Sequence, residues 1–177
     1  MTNFQTGTLV GLRIIIGWHF LYEGLAKLAN PYWTSAGYLA ESQWIFADLF
    51  IRVAASPAAV TAVDYINMWG LTLIGLALLL GLFARTATIA AIALLALYYI
   101  SAPPFPGLSY PMPAEGSYLI VNKVLIEMGA LLVLLAFPTA RTWGLDRFLD
   151  RFRARRKAPA TAELPVAAPE PREPVHA

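Results

Sequence analysis

The sequence predicts an all-α polytopic membrane protein, a four-transmembrane-helix bundle with an outer amphipathic helix. Three observations predict it. The chain of 177 residues is 58% hydrophobic and only 14% charged, whereas a soluble domain carries roughly a quarter charged residues. Its apolar residues are gathered into long blocks, four of which approach the ~20 residues needed to cross a hydrocarbon core. Ionisable side chains recur inside the first and last of these blocks. Such groups are costly in lipid and persist mostly where they pair and face the bundle interior.

The first block covers about 8–28. No basic residue precedes Arg13, so the block reads as a retained helix and not as a cleavable signal peptide. The second and third blocks, 67–84 and 86–101, are separated by Arg85 and form a tight helical hairpin broken at 81–85. The fourth block is 119–137. Together with loops 29–66 and 102–118 they make a membrane domain over 1–140.

The loops have their own patterns. Residues 37–55 set Leu39, Trp44, Ile45, Leu49, Phe50 and Val53 apart from Glu41, Asp48 and Arg52, close to a helical period, which predicts an interfacial amphipathic helix. Pro103, Pro104, Pro106, Pro111 and Pro113 cannot continue a helix and predict a stiff extended cap. Residues 141–157 predict a basic amphipathic helix on the membrane surface, and 158–177 a disordered tail rich in Pro, Ala and Glu.

Basic residues set the topology. Arg141, Arg147, Arg151, Arg153, Arg155, Arg156 and Lys157 follow the fourth block, and Arg85 lies in the hairpin turn. Loop 29–66 holds only Arg52, and 102–118 holds no basic residue. The positive-inside rule then places both termini in the cytoplasm and both loops outside, as in a multi-pass protein of a bacterial inner membrane.

Composition also excludes chemistries. With no cysteine the chain has no disulfide, thiolate nucleophile or iron–sulfur ligation of its own. Its two histidines, His19 and His176, stand in the first block and the tail and cannot make a bis-histidine haem site in one bundle. No metal site and no nucleic-acid partner are expected.

The ionisable residues form a pattern. His19, Glu23 and Lys27 are spaced i, i+4, i+8 and line one stripe of the first helix, while Lys123 and Glu127 are spaced i, i+4 on the fourth. The two helices run in opposite directions. At about 1.5 Å per residue, Glu23 and Lys123 both fall roughly 7 Å outward of the span midpoints, and His19 and Glu127 both fall near the midplane. Two rungs are therefore expected, Glu23 with Lys123 and His19 with Glu127. Asn122, Asn67, Tyr98 and Tyr99 are expected to border the same cavity, with Trp18, Phe20, Tyr22 and Tyr98 as aromatic walls. A carboxylate–histidine pair beside an aromatic-lined pocket suits proton exchange with a quinone headgroup. The same residue types also serve as polar glue between helices and as proton relays. Arg13 lies off the stripe and is read as snorkelling or packing. Lys27 is expected to reach the outer interface beside Tyr32 and Trp33. Gly17, Gly24, Gly70, Gly75, Gly81 and Gly129 are read as close-packing positions.

These motifs resemble the DoxX/DoxD-like family of membrane proteins. The resemblance rests on Arg13, Gly17-Trp18, Glu23-Gly24 and Lys27-Leu28 in the first helix. It rests equally on Asn122-Lys123, Leu125-Ile126-Glu127 and Ala130-Leu131-Leu132, followed by Pro138-Thr139, Arg141 and Gly144-Leu145-Asp146. It covers about residues 8–150. It implies a four-helix membrane bundle. The name-giving member is the small membrane subunit of a thiosulfate:quinone oxidoreductase, in which thiosulfate is oxidised to tetrathionate and quinone is reduced. Distant eukaryotic relatives act as cargo receptors or assembly chaperones. The family supplies no agreed catalytic set, so none is carried over.

The first reading is accordingly the quinone-side membrane subunit of an oxidoreductase. His19 and Glu127 handle protons, and Glu23 and Lys123 bind or orient an anion. The partners expected are the bilayer, a separate soluble or membrane redox subunit, and a second copy of the chain. The other readings are a non-catalytic assembly or chaperone protein and a small proton-coupled transporter.

Overall fold

The computed structural model describes residues 2–110, 119–140 and 143–147. Expectations for 141–157 other than 143–147, for the tail 158–177, and for Pro111 and Pro113 lie outside the described residues.

Helix α1 (Asn3–Ala29) starts earlier than the apolar block because Thr2 caps it. The Thr2 hydroxyl accepts from the Gln5 amide at 3.2 Å, and the Gln5 side chain accepts from the Thr2 amide at 2.8 Å. This reciprocal pair satisfies two amides that the first turn leaves open. Residues 37–55 do not form one amphipathic helix. They give two short ones, α2 (Ala36–Ala40) and α3 (Ala47–Ala54), separated by 41–46. Ser35, at the entry to α2, is tied to Asp64 by its amide at 2.7 Å.

Helix α4 (Pro57–Leu80) begins ten residues before the expected block, with Pro57 in its first turn, where a missing N–H costs nothing. Residues such as Thr61 and Asp64 lower the hydropathy of that stretch and hid it from a search for apolar runs. Gly81 ends α4 at φ 62°. The Leu82 amide reaches Ala77 O at 3.0 Å and the Gly81 amide reaches Leu78 O at 3.3 Å, a Schellman motif that needs the left-handed residue glycine supplies. Helix α5 (Ala84–Ser101) and helix α6 (Lys123–Ala136) complete the bundle.

Helices α1, α4 and α5 are long and apolar enough to cross a membrane. Helix α6 has 14 residues. At ~1.5 Å per residue it runs about 21 Å, less than the ~30 Å of a hydrocarbon core. Of the expected fourth block, Leu119–Asn122 precede the helix, with the Asn122 side chain accepting from the Leu125 amide at 3.0 Å as its cap.

The helices pack in the order α1, α4, α5, α6, with α1 and α4 in contact along much of their length and α1 and α6 touching sparsely. Lipid tails are as apolar as leucine, so close backbone approach matters more here than apolar burial. Glycines provide it at Gly17, Gly24 and Gly75: a Cβ on Gly17 would lie 2.9 Å from the Leu79 nitrogen, and one on Gly75 would strike the backbone of Leu21. Gly70 and Gly129, in contrast, face open space and are not close-packing positions. The core is Ile16, Phe20, Leu71, Leu78, Ala87, Ala91, Leu95, Leu131 and Leu134.

One end of the bundle is clamped by polar contacts. Arg13 is buried and donates to Trp143 O at 2.6 Å and to Thr139 Oγ1 at 3.4 Å. Asp146 accepts from the amides of Phe83 at 2.8 Å and Ala84 at 3.2 Å, capping α5 and holding Phe83 at its positive φ of 50°. Gly144 lies against Gly81, where a Cβ on either would meet the other's backbone. Arg13 is thus a packing residue and does not snorkel.

Candidate functional site

The site is built on α1, α6 and α5. His19 leaves α1 one position before the buried Phe20, and Glu127 leaves α6 one turn before the buried Leu131. Their side chains meet: Nδ1 of His19 lies 2.8 Å from Oε1 of Glu127. Position 19 and position 127 lie at matching depth because α1 and α6 run in opposite directions. The His19–Glu127 rung expected from that comparison is present.

The second rung differs. Glu23 forms its ion pair with Lys27, one turn along the same helix, and not with Lys123 as expected. A Glu four residues before a Lys is the favourable order on a helix, and this local pair forms without requiring a neighbouring helix. Lys123 lines the same cavity as Glu23. Lys27 also lines that cavity, and its Nζ lies 5.6 Å from the ring centre of Trp33, the neighbour expected for it.

These groups surround a cavity of about 120 Å³ lined by His19, Glu23, Lys27, Tyr98, Lys123 and Glu127 on its polar side, with Phe20, Leu71, Leu95 and Val124 as apolar walls. The Tyr98 hydroxyl donates to Asn67 Oδ1, so Asn67 acts behind Tyr98 and does not line the cavity. The Asn67 amide nitrogen donates to Val63 O at 3.2 Å.

Other expected site residues lie elsewhere. Trp18 and Tyr22 are 59% and 61% exposed on the outer surface of α1, because a 3.6-residue period turns them away from the His19–Glu23 stripe. Asn122 is occupied as the α6 cap. Tyr99 donates to Ile120 O at 2.7 Å and its ring meets Phe105, tying the end of α5 to the chain before α6. The lining residues that the sequence reading missed are Lys27, Leu71, Leu95 and Val124. For Lys27 the i, i+4 relation to Glu23 was the available signal.

The His19 side chain is 47% exposed and that of Glu127 14%. The imidazole therefore stands at the open edge of the sparse α1–α6 contact, with the carboxylate behind it. A carboxylate at Nδ1 orients the ring and leaves Nε2 to face a ligand. What this arrangement offers is an orientable proton donor and acceptor between two helices, beside two cations and a second carboxylate.

Fold and site together define a helical membrane protein with a polar, ionisable cavity inside its bundle. No protein-family model matches the chain, and comparison with curated proteins and with solved structures gives no match.

Proposed function

We propose that the chain is a DoxX/DoxD-like membrane subunit of a quinone-linked oxidoreductase, with thiosulfate as a candidate electron donor through a separate partner subunit. In this reading α6, extended by its flanking residues, is the fourth span, α3 lies at the outer interface, and the protein sits in a bacterial inner membrane with both termini cytoplasmic. The observation that carries the proposal is the 2.8 Å contact between His19 Nδ1 and Glu127 Oε1 at the edge of a cavity.

The residues fit a quinone in one specific way. A cavity of about 120 Å³ takes a single ring but not an isoprenoid tail, and the sparse α1–α6 contact leaves the tail a path into lipid. When bound, a quinone supplies a two-electron, two-proton acceptor. His19 Nε2 then hydrogen-bonds a carbonyl oxygen, Glu127 holds the imidazole and stabilises its protonated form, and Glu23 with Lys27 and Lys123 sets the charge around it. With no cysteine in the sequence and no other evident relay, the electrons come by direct substrate–quinone contact or from the partner.

The test is organic extraction of the purified protein with mass spectrometry for quinone, against a His19→Ala/Glu127→Gln variant. Near-stoichiometric quinone lost in the variant supports the reading. Quinone only at the level of carried-over lipid in both proteins would sink it.

One observation favours a second reading, a non-catalytic assembly protein. Helix α3 buries none of its residues, and Ile45, Phe46, Leu49 and Ile51 on and beside it are exposed. In that case changes at Leu49 or Phe50 should release a client protein, and changes at His19 should not.

A further inference from the structure

The cavity around His19 is polar toward one end of the bundle only. From His19 to Lys27 the α1 stripe spans eight residues, about 12 Å at ~1.5 Å per residue, and each member of it lines the cavity. On α6 the lining runs from Glu127 to Lys123, which is exposed at the helix start. Toward the other end the character changes within one turn on every helix concerned. Ile16 follows on α1, Leu131 on α6 and Ala91 on α5, exposed by 5%, 0% and 0%. Leu78 of α4, also at 0%, closes the same layer.

Beyond that layer lies a second cavity of about 210 Å³, lined by Arg13, Arg85, Thr88, Leu134 and Asp146 among others. The two cavities share no lining residue. The layer of Ile16, Leu78, Ala91 and Leu131 therefore separates a polar chamber at the Lys123 end from a polar clamp at the Arg13 end. Such a layer offers no hydrogen-bonding group to a proton or a water chain, and an apolar space this tightly filled stays dry.

We propose that the His19–Glu127 pair exchanges protons with water only through the Lys27–Lys123 end of the bundle, so that the chemistry of the site is coupled to one side of the membrane. The groups facing His19 are Glu23 and Lys27 on its own helix, Lys123 and Glu127 on α6, and Tyr98 on α5. On α4 the facing residue is the apolar Leu71. The inference deepens the proposed proton-handling site and rests on that reading for its consequence. Access itself is measured without any quinone, so the two fail separately.

The natural chain has no cysteine, so single cysteines report without a background. The full chain carrying Glu23→Cys, His19→Cys or Leu131→Cys is placed in sealed vesicles, its orientation fixed by protease access to a C-terminal tag. A charged, membrane-impermeant methanethiosulfonate is then added from each side. Cysteines at positions 23 and 19 should react from the Lys123 side faster by an order of magnitude or more than from the other side, and the one at 131 from neither. Equal rates from both sides, faster reaction from the Arg13 side, or no reaction at position 19 would overturn the proposal.

A second measurement keeps the site intact. In a His176→Gln chain, His19 is the remaining histidine. Its ¹⁵N imidazole resonances in oriented vesicles should follow a pH change on the Lys123 side and ignore one on the other. A response to the Arg13 side, or to neither, would overturn it equally.

Discussion

The Arg13 guanidinium donates to the carbonyl of Trp143 at 2.6 Å, joining the first helix to a segment 130 residues away. Thr139, Gly144 and Asp146 complete the same junction around the α4–α5 turn. Arg13, Thr139, Gly144 and Asp146 are thus structural neighbours, which gives the paired motifs at the two ends of the chain a common physical purpose.

Arg13→Ala should cost about 1–3 kcal/mol, since it leaves a partly buried carbonyl and a buried hydroxyl without their donor. Arg13→Lys should recover only part of it, because a point ammonium cannot serve both acceptors as a planar fork does. Thermal unfolding in detergent measures both. A wild-type midpoint for Arg13→Ala would contradict the clamp.

Gly75→Val should separate α1 from α4 and lower the folded yield sharply, because a Cβ there strikes the Leu21 backbone. Gly129→Ala, with nothing within 4 Å of the new atom, should be neutral or stabilise by up to about 1 kcal/mol through helix propensity. Comparing the two in one detergent separates a packing glycine from an incidental one.

Glu127→Gln keeps the size of the side chain but removes the carboxylate charge beside the His19 ring. If the proposed quinone-linked function holds, quinone reduction in native membranes should fall by about a hundredfold or more, the usual scale for losing a general acid–base group, with the level of folded protein unchanged. Glu23→Gln should have a smaller effect, because the carboxylate is paired to Lys27 and does not touch His19. Equal loss of protein in both variants would mark the pair as structural glue.

Tyr38 lies in α2, outside the long helices, and donates to Tyr98 O at 2.9 Å. Burial, reinforced by nearby Tyr110, pushes its phenol up to about 12 from the usual 10.0. The sign follows from proton counting. Above pH 10 the unfolded chain loses this proton first, so it binds fewer protons than the folded one, and stability falls as pH rises. The Tyr38 contribution is therefore intact below about pH 10 and lost between 10 and 12. Tyr38→Phe should lower stability at neutral pH, through the lost hydrogen bond, and flatten the decline over that alkaline window in a pH series of thermal unfolding.

Particular residues show how much was legible beforehand. The His19–Glu127 contact followed from two spacings and antiparallel direction, both of which are properties of the chain. The Glu23 partner did not, because an intrahelical and an interhelical lysine competed and only side-chain packing could choose. Trp18 and Tyr22 were assigned to the cavity by proximity in sequence. The helical period turns them about 100° away, onto the exposed surface of α1.

By itself the sequence determined the helical membrane character and the hairpin at Gly81, since hydropathy and turn chemistry are local properties. Only the tertiary structure decided that Arg13 closes one end of the bundle, that Lys27 takes Glu23, and that an apolar layer walls the site off on one side. The first and last depend on helix rotation and on contacts between residues more than a hundred positions apart, which no local spacing encodes, and the second on which of two lysines the side-chain packing leaves within reach of Glu23.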